Sequence, residues 1–184
     1  SNSLLLSSQQ QDIMQATGPN CKVFTDAAWK LDTQNTTGIG IFIQMAEKHQ
    51  EVNISILLSE EQIESPLQAE ATTLQLAAQV INTITIEDII FFTDNQVLAQ
   101  AAHARDILKC PGHWEIRSQL ANFFSSTCKA QITVRHIPKE LNSRAHNNAA
   151  RAYFSESNTS PTMVCKSRSH SVDHCPTLLK LGNL

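Results

Sequence analysis

Three carboxylates hold most of the chemical potential of this sequence. Asp26 ends the apolar run Val23-Phe-Thr-Asp26, and Asp94 ends the run Ile89-Ile-Phe-Phe-Thr-Asp94. Glu70 lies between them in Ser65-Pro-Leu-Gln-Ala-Glu70-Ala. Carboxylate oxygens are hard donors, and several brought together bind hard divalent cations. A cation held in this way polarises a phosphoryl oxygen or activates a water molecule. Each acid alone has an ordinary alternative. A strand-end Asp is a common turn or cap residue, and a Glu in an early helical turn is favoured by the helix dipole. The chemistry depends on whether three separate elements bring the three acids together.

Periodicity predicts those elements. Cys21 to Trp29 and Glu87 to Thr93 are short, branched and aromatic, so both read as buried strands. Each delivers Thr-Asp at its C-terminal end, where open α/β sheets place their sites. Gly38 to Met45 reads as a second strand, and its glycines imply close approach to a neighbour or ligand. Val52 to Leu58 alternates as a third strand. Pro66 suits a first helical turn, and Leu67 to about Thr83 carries an apolar stripe through Leu74, Ala77, Ala78 and Ile81. Asn95 to Leu108 and His113 to Ser125 read as helices, Ala130 to His136 as a strand, and a last helix capped by Asn142 or Ser143 runs to about Phe154. The expected fold is α/β: a five-stranded mixed sheet, its first three strands an antiparallel meander, flanked by helices. Residues 1–20 read as a flexible lead-in with one short helix around Leu4 to Met14, residues 21–154 as one folded domain, and residues 155–184 as a flexible tail rich in Ser, Thr, Asn and His.

Length and charge narrow the class. The chain of 184 residues fits one domain plus tails, and 41% hydrophobic residues fill one core. A net charge of -3 excludes an overall basic nucleic-acid binder, but not an enzyme that meets phosphates through cations. Five cysteines without a disulfide framework indicate a reducing, intracellular setting. No apolar run reaches the roughly 18 residues of a membrane span, and the N-terminal stretch lacks the pattern of a signal peptide. In the tail, Cys165, His170, His174 and Cys175 invite a zinc reading, but the adjacent final pair fits zinc-knuckle spacing poorly. Lys166, Arg168 and Lys180 offer at most loose phosphate contacts. A Gly-rich phosphate loop and a nucleophile elbow are both missing.

In order and spacing, Phe24-Thr-Asp26, Ala69-Glu70-Ala71, Phe92-Thr-Asp94-Asn-Gln96 and His136-Ile-Pro-Lys-Glu-Leu-Asn142 resemble type 1 ribonuclease H. The similarity is nearest in flavour to the plant ribonuclease H-like domains related to reverse transcriptases of non-LTR retroelements, and Trp114 to Arg117 belongs to it. It covers roughly Cys21 to Phe154. The resemblance implies a ribonuclease H-like fold and an endonuclease that hydrolyses the RNA strand of RNA–DNA hybrids. It also implies two Mg²⁺ ions, with Mn²⁺ able to substitute, about 4 Å apart. Asp26, Glu70 and Asp94 take the positions of three metal ligands. The fourth position, usually Asp, is His146 here, which weakens a second metal site while leaving imidazole for ligation or proton transfer. By the same resemblance, Ala27, Trp29, Gln96, His136 and Asn142 are candidate substrate contacts. Ala27 would act through its backbone on RNA 2′-hydroxyls and Trp29 by stacking, although a partly buried strand-end aromatic is the plainer reading of Trp29. Two further readings stay open: a weakly active or inactive module that binds hybrid or duplex nucleic acid, and a structural remnant of a retroelement polyprotein. The expected partner is nucleic acid rather than membrane, and the expected state is monomeric.

Overall fold

In the structure, a computed structural model, residues 21–31, 36–47, 50–110, 112–155 and 161–167 are described. The elements run β1 (Cys21–Ala28), β2 (Thr36–Glu47), β3 (Gln50–Glu61), α1 (Pro66–Asn82), β4 (Asp88–Thr93), α2 (Gln96–Ala104), α3 (Arg117–Ser126), β5 (Gln131–His136), α4 (Ser143–Phe154) and β6 (Thr162–Ser167), with short 3₁₀ turns at Trp114–Ile116 and Lys139–Leu141. The sheet order is β5-β4-β1-β2-β3-β6. β1, β2 and β3 form the expected antiparallel meander, whereas β4 lies parallel to both β1 and β5.

The expected count of five strands is corrected to six. β6 pairs antiparallel with β3, from Leu57↔Thr162 to Val52↔Ser167. It comes from the stretch expected to be a flexible tail. The Ser- and Asn-rich surroundings of Thr162-Met-Val-Cys-Lys-Ser167 hide a short alternation that puts Cys165, 3% exposed, into the core. The short helix expected near Leu4, and His170, His174 and Cys175, lie outside the described residues.

The strands alternate, so the sheet has two different faces. On one, Val23, Ile41, Ile54, Ile89 and Phe91 meet Leu74, Ala78 and Ile81 of α1, Leu98 of α2, and Leu120 and Phe123 of α3. On the other, Phe24, Phe42, Ile90 and Phe92 meet Ile137, Leu141 and Ala145. Phe24 and Phe92 stack with centroids 4.7 Å apart, which fixes β1 against β4.

Helix ends follow local chemistry. Ser65 caps α1 by accepting from the Gln68 N–H at 3.0 Å, with Pro66 just inside the helix. α2 stops short of Leu108 because Arg105 is left-handed, φ 52. The Arg105 guanidinium holds that cap through Thr127 Oγ1 at 2.8 Å and the Phe124 carbonyl at 3.1 Å. The helix expected from His113 begins as a 3₁₀ turn and becomes α-helical at Arg117.

The placement of α4 matters most for the site. A Cβ on Gly40 would fall 2.1 Å from the Ala145 carbonyl oxygen, and one on Gly38 would fall 2.1 Å from that of Ala149. The two glycines therefore let the helix backbone rest on β2, as the strand glycines implied. Ala145, Ala149 and Ala152 are buried along the contact. Asn148 donates to the Ile41 carbonyl at 3.0 Å, and Asn142 donates to the Thr25 carbonyl at 2.8 Å.

Candidate metal centre

β1 and β4 are parallel neighbours, so their C-terminal ends lie side by side and bring Asp26 and Asp94 to one edge of the sheet. The N-terminal part of α1 adds Glu70. One carboxylate oxygen from each of Asp26, Glu70 and Asp94 lies within 4.8 Å of the others. Two oxygens sharing one cation are separated by at most about 4–5 Å, given bonds of about 2.1 Å for Mg²⁺ and about 2.3–2.6 Å for Ca²⁺. The three acids predicted from separate segments therefore converge at the spacing of a divalent-cation site.

The surroundings of each acid differ. Asp26 is 3% exposed, and its Oδ2 lies 2.8 Å from His146 Nδ1. Glu70 accepts a long hydrogen bond from the Ala27 N–H, 3.4 Å to Oε1, while its Oε2 is buried with no hydrogen-bond partner. Burial, followed by the charges of Asp26 and Asp94, pushes the Glu70 carboxyl well above its usual range. Asp94 is raised as well, first by burial and then by Asp26, against the opposing pull of Lys139 and His136. An orphaned buried oxygen inside a cluster of mutually repelling acids is the donor set a divalent cation satisfies.

The other predicted residues separate into groups. His146 is brought onto Asp26 and is half-exposed. His136 is exposed, with its Nε2 3.1 Å from the Asp94 carbonyl oxygen, so it stands beside the centre. Gln96 is exposed at the start of α2. The Ala27 N–H is engaged by Glu70. The Trp29 indole N–H donates to the Ile63 carbonyl at 2.9 Å in a half-buried setting, as the plainer reading of that residue expected. Asn142 is 1% exposed: its amide nitrogen ties the start of α4 to β1, while its Oδ1 is buried with no hydrogen-bond partner. Its side chain also makes no cap, although its carbonyl accepts the His146 N–H at 2.9 Å. The charge of Lys139, within the motif His136 to Asn142, acts on the Asp94 carboxyl. Only the tertiary fold reveals that relation.

The sequence matches the model of the reverse transcriptase-like family over residues 24–152. No curated protein matches it. Among solved structures, LC9-RNase H1, a type 1 RNase H with the type 2 active-site motif, is similar with a TM-score of 0.63 and 14% identity, over 80% of this chain and 79% of that one. RNase H1 from the halophilic archaeon Halobacterium salinarum NRC-1 is similar with a TM-score of 0.56 and 17% identity, over 72% and 96% of the two chains. LC11-RNase H1, solved in complex with RNA/DNA hybrid, gives 0.56 and 15% over 72% and 96%. The family match spans well over half of the chain and the solved structures share its fold, so this chain, with a ribonuclease H-like fold, belongs to the reverse transcriptase-like family.

Proposed function

We propose that this domain is a divalent-cation-dependent endonuclease that hydrolyses the RNA strand of RNA–DNA hybrids. The observation that carries this reading is the convergence of Asp26, Glu70 and Asp94 within 4.8 Å around the unpartnered Glu70 Oε2. The hybrid as substrate is supported by family membership and by the hybrid-bound relative of the same fold.

Asp26, Glu70 and Asp94 would hold the cation, Mg²⁺ with Mn²⁺ able to substitute. When bound, it supplies Lewis acidity toward the phosphoryl group and a more acidic water. The protein's own groups orient and exchange protons around it. The Ala27 N–H holds one oxygen of Glu70 in place. The His146 Nδ1 lies 2.8 Å from Asp26 Oδ2, and with a proton on Nδ1 the ring donates to that carboxylate oxygen and orients it. His136 places a ring nitrogen 3.1 Å from the Asp94 carbonyl oxygen, and the Lys139 charge acts on the Asp94 carboxyl, so both would favour an approaching phosphate.

Cleavage of a labelled hybrid in Mg²⁺ and in Mn²⁺, by wild type and Asp26→Asn, tests the reading. Cutting of the RNA strand that falls about a hundredfold or more in Asp26→Asn is the expected result, in the range of losses for a group that acts on the transition state. A second reading is favoured by one observation: His146 occupies an oxygen of Asp26 that a ligand set would use. On that reading the domain binds hybrid without cutting it. Hybrid retention with no cleavage in either metal would decide for it.

A further inference from the structure

We propose that the centre holds one divalent cation and that the His146 imidazole, seated on Asp26, excludes a second. The inference rests on the reading of the acidic cluster as a cation site, and it replaces the two-ion expectation. A second cation in this cluster would have to draw on a carboxylate that also serves the first, since three acids converge among the described residues. Asp26 is the candidate bridge: it is the most buried of the three, and it is close enough to raise both Glu70 and Asp94. Its Oδ2 lies 2.8 Å from His146 Nδ1, so the imidazole stands where a second cation would approach that oxygen. Among the described residues, the group of three or more candidate ligand residues whose atoms converge contains Asp26, Glu70 and Asp94 and does not contain His146. His146 therefore reaches the Asp26 carboxylate without joining the other two acids around a common point.

Charge leads to the same count. Three carboxylates carry about -3 when ionised, and one divalent ion leaves the centre near -1. In the free chain two ions would leave it near +1 with no further acid among the converging residues to offset them, and only a substrate phosphate would bring the sum back to about zero. The buried, unpartnered Glu70 Oε2 independently marks where the single ion belongs, since that oxygen lacks any other partner. His146 is held in this role by α4, whose backbone rests on Gly38 and Gly40 and whose first turn is tied to β1 through Asn142. It acts through Asp26 and is a positioning residue for the ion.

Counting the ion tests this directly. The full chain is titrated with Mn²⁺, and free Mn²⁺ is read by electron paramagnetic resonance. The titration is run alone and with a hybrid whose RNA strand is 2′-O-methylated to prevent cutting, with the hybrid's own uptake subtracted. One tight Mn²⁺ per chain is expected in both conditions. Asp26→Asn is expected to weaken it by about tenfold or more, and His146→Asp is expected to add a second ion with the circular dichroism spectrum unchanged. Two ions in the wild type would overturn the proposal whatever the variants do, while leaving the nuclease reading standing. A folded His146→Asp that still binds one would overturn the role of His146. No Mn²⁺ uptake at all would remove the cation site and the proposed function with it.

Discussion

On the proposed function, Glu70 gives up folding stability to serve a cation site. Burial and the neighbouring acids raise its carboxyl well above the 4.5 it has in the unfolded chain. A carboxyl raised in the folded state binds its proton more tightly there, so stability is lost as pH climbs from the unfolded value through the folded one. Asp94, raised above 3.8, adds a contribution of the same sign. Thermal unfolding with chelator present, from about pH 4 to about pH 8, is expected to show Glu70→Gln gaining a few degrees over wild type at the upper end and little at the lower end. Excess Mn²⁺ is expected to close that gap, because binding to the folded state stabilises it. A Glu70→Gln difference that is flat across pH would sink the account. At this scale the acids were legible because each stands at a recognisable place: two strand ends and an early helical turn. The contact of His146 with Asp26 was not legible. Nothing in Ala145-His146-Asn147 says that a ring nitrogen will settle 2.8 Å from an oxygen 120 residues away. The same holds for Asn142, whose tie to the Thr25 carbonyl nothing in its motif announces.

α4 is the element on which the arrangement turns, and small residues set its position. Gly40→Ala would place a methyl 2.1 Å from the Ala145 carbonyl oxygen and 2.3 Å from the Ala149 nitrogen, both backbone atoms. The helix has to move away from β2, since neither atom can rotate aside. Overpacking of this kind costs about 1–3 kcal/mol, and the shift also carries His146 off Asp26. Gly40→Ala is therefore expected to lower the denaturant midpoint and, in the fraction still folded, to resemble a His146 variant in its Mn²⁺ count. An unchanged midpoint would mean that β2 and α4 are not in contact as described. The glycines signalled this close approach in the sequence, although the partner they admit did not. The order of elements was readable for the same reason as the acids, since long runs of one period dominate their own conformation. β6 was not, because six residues of alternation inside a polar stretch are weaker than the composition around them. The register with β3 that stabilises β6 exists only once β3 is folded.

At the scale of the whole molecule, the proposed function requires a net charge of -3 to meet a polyanion. The acidic centre repels phosphate until a cation fills it, so on the proposed function hybrid affinity is expected to depend on the metal before any chemistry. The basic groups near the site are few. Lys139 is felt at Asp94, His136 stands beside the same residue, and Arg144 lies over the Phe42 ring with 4.7 Å between guanidinium carbon and centroid. Each neutralised phosphate contributes about -0.9 to the slope of log affinity against log salt on duplex DNA, so two or three contacts give a slope no steeper than about -3. Fluorescence anisotropy with the 2′-O-methylated hybrid, across a salt series at fixed Mn²⁺, is expected to give that shallow slope. Lys139→Glu is expected to weaken binding several-fold at low salt and less at high salt, because screening removes the repulsion it introduces. A slope twice as steep, unaffected by Lys139→Glu, would place the grip on the hybrid elsewhere than beside Asp94. The acidic cluster would then position a strand that another surface of the chain holds.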